Sequence, residues 1–151
     1  MIVNSQRRIR VAVAPLAKFV VRAGRELRFP EDGVTVRLMS DQAIARLNRS
    51  FRGKRGPTDV LSFPAQGNYK ALLWRKRRAA TAEAQIYVGD IAISPETARR
   101  NARLLERGLP TELRILILHG MIHLAGYDHE ADHGEMHRIE RRLRRRLGLK
   151  D

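Results

Sequence analysis

Cysteine is missing from all 151 residues of the chain. Without it there is no disulfide framework, no thiolate nucleophile and no cysteine-type zinc finger, so any metal site must use histidine and carboxylates. Long apolar runs are missing too, and no stretch approaches the roughly 20 residues that a membrane-spanning helix requires. Arg7, Arg8 and Arg10 precede a short apolar run. Pro15 interrupts that run and Lys18 closes it, so it reads as the start of an amphipathic helix and not as a secretory leader. Acidic residues are few: 16 Asp and Glu stand against 30 Lys and Arg, a formal charge of +14. That field suits a polyanion, most simply nucleic acid, although solubility or an anionic membrane surface would produce the same excess.

The length fits one domain with a real hydrophobic core. Leu16, Phe19, Val20, Ala23 and Leu27 recur at helical spacing, and Val34, Val36 and Leu38 alternate as in a half-buried strand. Ser40 is the expected N-cap of a second helix with Ile44, Leu47 and Phe51 on its apolar face. Residues 59–63 and 86–93 read as further strands. Between them, residues 66–85 have no strand period and form a loop insertion carrying Trp74 beside Arg75, Lys76, Arg77 and Arg78.

Ser94-Pro95-Glu96 combines an N-cap, a proline at the first helical position and an acid in the first turn, so a helix should start there and end near Gly108. Pro110 and Thr111 open the next helix. Its apolar residues, from Leu113 to Leu124, cover nearly every side, which predicts a buried element. A last helix from about Asp132 has the core stripe Met136, Ile139, Leu143 and Leu147, with Arg138, Arg141, Arg142, Arg144, Arg145 and Arg146 opposite. The pattern implies an α+β domain spanning residues 1–151, with a small mixed sheet of about four strands and about five helices.

All five histidines fall between His119 and His137. His119 and His123 are one helical turn apart on one face and can reach a common ion. Gly126 can end that helix and let the chain bring His129 back toward them. Three neutral imidazoles leave a tetrahedral zinc one open position, where a bound water would have its pKa lowered to about 7. His129, His133 and His137 form a rival set at helical spacing. They lie in a more charged segment, and His133 and His137 read as surface residues.

The three histidines and Gly126 match the metzincin signature H-E-x-x-H-x-x-G-x-x-H. At the position of its general base, however, this chain has Gly120, which cannot take a proton from water. The metal site survives this comparison, and the peptidase reading weakens.

The run H-G-x-x-H-L-x-G-Y-D-H, His119 to His129, resembles the signature of the YbeY family, the metal-dependent endoribonucleases of bacterial ribosomal RNA maturation. Asn48-Arg49-Ser50-Phe51-Arg52-Gly53-Lys54-Arg55-Gly56-Pro57-Thr58-Asp59-Val60-Leu61-Ser62-Phe63-Pro64 resembles that family's arginine-bearing loop and the strand after it. Gly89-Asp90-Ile91 and Ser94 resemble its next strand, so the likeness runs from about residue 34 to about residue 148. The departures are the insertion and the two extra histidines.

The resemblance implies one Zn2+ per chain held by His119, His123 and His129, with Arg52 as the catalytic or RNA-contacting arginine. It further implies a cytoplasmic, single-strand-specific endoribonuclease acting in 16S rRNA 3′-end maturation, ribosome assembly and ribosome quality control. The implied partners are ribosomal RNA, the small ribosomal subunit with its proteins, and an Era-type GTPase, with no membrane. The chemistry of arginine agrees, because a guanidinium can hold two phosphate oxygens and offset charge that develops on a phosphodiester.

Bland readings stand beside these. Arg52 could be a solvated cation, and the Arg75 to Arg78 cluster, Arg141 and Arg145 could be a charged face instead of RNA contacts. Asp128 could orient a ligand imidazole or cap a turn, and Tyr127 could be packing. Asp59 and Asp90 could be strand-end residues or acid–base groups in a cleft. Two other functions remain open from sequence: a ribosome-associated assembly factor with a mainly structural metal, and a metzincin-like hydrolase whose base comes from elsewhere.

Overall fold

The period-two alternation at residues 34–38 yields the strand around which the sheet is built. A computed structural model describes residues 1–65, 86–128 and 132–149 of the chain. Along the sequence, β1 (Ile2–Asn4) is followed by α1 (Val13–Glu26), β2 (Val34–Leu38), α2 (Asp41–Arg52), β3 (Val60–Pro64) and β4 (Gly89–Ile93). Three helices complete the order: α3 (Pro95–Leu104), α4 (Leu109–Leu124) and α5 (Glu135–Arg146). Five helices and a four-stranded mixed sheet among the described residues match the expected α+β class. The insertion at residues 66–85 lies outside the described residues.

The sheet order is β1-β2-β4-β3. β1 and β4 flank β2 in parallel, with Ile2 opposite Val36 and Val36 opposite Ile91, whereas β3 pairs antiparallel with β4, with Leu61 opposite Ala92. This central place explains why β2 is buried more completely than its alternation predicts, since Arg37 is its single exposed residue. β1 has no sequence signal because three residues cannot show a period. It is fixed instead by the N-terminal ammonium, which donates to the Val34 carbonyl at 3.0 Å, and by the Val36 amide, which donates to the Met1 carbonyl at 2.9 Å. β4 starts three residues later than expected because its partner β2 begins only after the turn at Gly33, and Val88 and Gly89 both donate to the Gly33 carbonyl.

The core forms between the sheet and α4. Ten of the sixteen residues of α4 are buried, and the helix packs on β3, β4, α1, α3 and α5. The apolar stripe of α1 enters the same core through Leu16, Phe19, Val20 and Ala23. On the other face of the sheet, α2 covers a smaller cluster of Ile44, Leu61 and Ala92.

Phe51 does not belong to that cluster as its spacing suggests, because the last turn of α2 runs past it and leaves the ring 67% exposed. Asn48, one turn after Ile44, is the buried residue instead, and its Nδ2 donates to the Gly56 carbonyl at 3.0 Å. Gly108 does not end α3 either. That helix stops at Leu104, Glu106 turns the chain at φ 53°, and Gly108 becomes the N-cap of α4.

Two helix starts are locked together. Ser94 Oγ caps α3 by accepting from the Thr97 amide, and it donates to the Asp41 carboxylate at the start of α2. Thr97 Oγ1 and Arg100 also donate to Asp41, at 2.7 and 2.8 Å, while the Asp41 amide donates to Glu96. Burial pushes the Asp41 carboxyl up, but these donors outweigh it and hold the group below the usual carboxylate range. Among the described residues no helix is long and apolar enough to cross a membrane.

Candidate metal centre and its cleft

One turn of α4 separates His119 from His123, and their Nε2 atoms converge to 3.1 Å. The outer nitrogens decide the chemistry of this pair. His123 Nδ1 lies 3.0 Å from the Tyr127 carbonyl, which can only accept, so Nδ1 carries the proton. His119 Nδ1 lies 3.3 Å from both carboxylate oxygens of Glu140 and donates in the same way. In the neutral rings both lone pairs are therefore on Nε2 and point at one place. Two such lone pairs repel unless a cation stands between them, and zinc bonds of about 2.0–2.1 Å from each nitrogen meet readily at one ion. The donor set fits a metal. His129 lies outside the described residues.

Glu140 belongs to α5 and is buried there with Met136 and Leu143 of the same helix. Burial alone would push its carboxyl up, but contact with His119 and with Arg144 outweighs it and holds the carboxyl below the usual range. Arg144 reaches Glu140 at 3.2 Å, so this arginine turns inward and departs from the solvated face expected of its neighbours. Further along α4, the buried Glu112 pairs with Arg107 at 3.3 Å. Burial raises the Glu112 carboxyl, with Arg107 opposing. α4 is thus held by charge contacts at Glu112, near its start, and at His119.

Gly120 explains how close α4 comes to the sheet. A Cβ at this position would sit 3.0 Å from Ile91 Cδ1 and 3.1 Å from both Ile91 Cγ2 and Ser62 Oγ. Ser62 Oγ also donates to the Gly120 carbonyl at 3.2 Å, which ties β3 to the helix between the two histidines. The position that holds a general base in metzincins here faces packed sheet. Gly126, at φ 103°, turns the chain after α4 as the sequence suggests.

The histidines form part of the lining of an open cleft of about 1230 Å³ that crosses the edge of β3 onto the outer face of the sheet. Arg52, at the end of α2, lines the same cleft. The helix stops there because Gly53 takes a left-handed conformation at φ 65°, and the loop that follows is anchored by the Asn48 bond to Gly56.

Asp59 and Asp90 also line the cleft, but both are engaged in structure. Asp59 accepts from the Val60 amide and from Asn101, and Asp90 accepts from the Tyr87 hydroxyl at 2.7 Å with Arg37 at 3.6 Å. Asp128 is an exposed residue of the lining, and Tyr127 is half-buried against the main core.

The other candidates fall elsewhere. His133 and His137 are exposed, as expected, and α5 begins only at Glu135, so His133 precedes the helix and the rival triad has no continuous helical face. Asp132 caps the approach to α5, accepting from the Gly134 and Met136 amides. Arg141 and Arg145 are exposed on α5 and are not in the described lining of the cleft. Arg75, Lys76, Arg77 and Arg78 lie outside the described residues. Sequence reasoning missed Glu140 and the Tyr127 carbonyl. The first had a readable signal, a carboxylate inside the apolar stripe between Met136 and Leu143, because a buried charge demands a partner. A backbone acceptor leaves none.

The fold and cleft define a small α+β protein in which a buried helix presents paired imidazoles to an arginine-bearing groove. The model of the endoribonuclease YbeY family matches residues 2–148. An endoribonuclease YbeY from Koribacter versatilis is 41% identical over 149 residues, covering 99% of this chain and 86% of the relative. One from Sinorhizobium medicae is 36% identical over 148 residues, covering 93% and 80%. The solution structure of TM1509 from Thermotoga maritima aligns with a TM-score of 0.58 at 28% identity, over 97% of this chain and 89% of that one. The chain belongs to the YbeY endoribonuclease family.

Proposed function

We propose that this protein is a zinc-dependent, single-strand-specific endoribonuclease of the cytoplasm that acts in 16S rRNA 3′-end maturation, ribosome assembly and ribosome quality control. The observation that carries the reading is the convergence of the His119 and His123 Nε2 atoms, 3.1 Å apart, in the cleft that Arg52 also lines. His119, His123 and His129 hold the ion in this reading. When bound, zinc supplies a Lewis acid that polarises a phosphate oxygen or activates water.

The residues of the chain do the rest. Glu140 and the Tyr127 carbonyl keep both Nε2 lone pairs available by fixing the proton on Nδ1. Arg52 binds the scissile phosphate and stabilises the charge that builds on it. The +14 charge draws the polyanion to the cleft, with Arg75, Lys76, Arg77, Arg78, Arg141 and Arg145 as further backbone contacts. The small ribosomal subunit and an Era-type GTPase are the proposed partners.

The alternative of a metzincin-like hydrolase is disfavoured by Gly120, whose side-chain direction is filled by Ile91 and Ser62. The assembly-factor alternative is separated by experiment. Purified protein, His123→Ala and Arg52→Ala are compared for zinc content, fold and cleavage of a single-stranded ribosomal RNA precursor. The expected result is a folded Arg52→Ala variant that keeps zinc and loses cleavage, and a His123→Ala variant that loses both. Undiminished cleavage by a folded, zinc-free His123→Ala variant would refute the enzymatic zinc. RNA binding without any cutting by the zinc-loaded wild type would favour the assembly factor.

A further inference from the structure

We infer that Phe51 is a stacking platform for one unpaired nucleobase of the RNA, and so a determinant of single-strand preference. The inference rests on the endoribonuclease reading above. Its starting point is a misplaced apolar residue: Phe51 has the spacing of a core position on α2, yet it is 67% exposed. The ring is nonetheless oriented, because it meets Phe63 on β3 edge-on, with centroids 5.0 Å apart and planes at 68°.

Both rings line the cleft that holds the histidine pair. A single exposed apolar side chain needs no function by itself. Leu104 and Leu105 illustrate this, at 82% and 55% exposure, since neither lies in the described lining of the cleft. Phe51 differs in having a flat face, a fixed orientation and a cationic neighbour.

That neighbour is Arg52, which lines the same cleft. An aromatic ring and a guanidinium lining one cleft match the two parts of a nucleotide, one taking the base face and the other the phosphate. Bases inside a duplex are already stacked on each other and cannot lie on the ring. Only an unpaired base gains from it, so the platform favours single strands without reading sequence.

The test uses full-length, zinc-loaded protein with Phe51→Leu, Phe51→Ala and Phe51→Trp. Leucine keeps apolar bulk and removes the aromatic face, whereas tryptophan keeps the face. Exposure of the ring predicts folded variants, with the melting temperature lowered only by loss of the edge contact with Phe63. Dissociation constants and KM are measured on a single-stranded oligoribonucleotide, and on the same sequence in duplex.

Phe51→Leu and Phe51→Ala should weaken single-strand binding and raise KM about tenfold, with kcat little changed and duplex binding unaltered. Phe51→Trp should bind as the wild type does. A Phe51→Leu variant that binds single strands like a wild type that cuts them would overturn the platform alone. Loss in the tryptophan variant equal to that in the leucine variant would also overturn it, by assigning the ring a shape-filling role. A wild type that neither binds nor cuts RNA would overturn both this inference and the function it rests on.

Discussion

Glu140 sets both carboxylate oxygens 3.3 Å from Nδ1 of His119, across 21 residues of sequence and from a different helix. The contact keeps the His119 proton on the outer nitrogen and the lone pair on the inner one. Removing such a partner typically costs about 10–100-fold in metal affinity or activity. Glu140→Ala should therefore lower zinc affinity by about that range, measured by competition with a chelator of known strength. Glu140→Gln, which retains an acceptor oxygen, should fall between. Wild-type zinc affinity in a folded Glu140→Ala variant would reduce this residue to a packing role.

Substitution of Gly120 probes the closeness of α4 to the sheet. A methyl group there meets Ile91 and Ser62 at 3.0–3.1 Å. Overpacking of this kind costs about 1–3 kcal/mol, against which alanine recovers about 1 kcal/mol of helix propensity. Gly120→Ala should thus be destabilised by about 1 kcal/mol net in urea unfolding. Gly120→Glu, the change that would restore a metzincin base, should yield no stable fold, because its carboxylate would be forced between helix and sheet. A folded Gly120→Glu protein with peptidase activity would overturn this account.

Acid should act on the junction of α2 and α3. The folded Asp41 carboxyl titrates below its ordinary value of 3.8, so its contribution to stability is fully present above that value. As the pH falls through the folded value the contribution is lost. Asp41→Asn should cost about 1–2 kcal/mol at neutral pH through the weakened bond to Arg100. The gap between variant and wild type should then shrink as the pH drops below 3.8. Denaturation curves at several pH values test this, and a gap that stays constant into acid would exclude ionisation of Asp41 as its source.

Salt should weaken RNA binding steeply. For single strands the slope of log affinity against log salt is about −0.7 per phosphate contact, so four contacts lose about 50-fold between 50 and 200 mM. Replacing Arg75, Lys76, Arg77 and Arg78 with glutamine should make the slope shallower if that cluster touches the backbone. An unchanged slope would remove the cluster from the RNA path.

Much of this was legible in the chain. Helix α4 announced itself by apolar residues on every side, and Ser40 and Ser94 marked helix starts that both residues cap through their side chains. The His119 and His123 pairing followed from helical spacing alone. What sequence could not supply was determined by tertiary contact. β1 exists only as an addition to β2, Phe51 is exposed because α2 overruns the small cluster, and Glu140 acquires meaning only where α5 docks on α4. Periodicity identifies which face of a helix is apolar, but not where along its length the cover ends.

The docking of α5 also has a meaning in time. Synthesis proceeds from the N-terminus, so His119, His123 and the four described strands exist before α5 is made. The partner that fixes the His119 proton arrives only with residue 140, 21 residues after His119 itself. An unfinished chain therefore carries the imidazoles in an untuned state. Tuning of the pair is deferred until α5 has been made and has docked on α4.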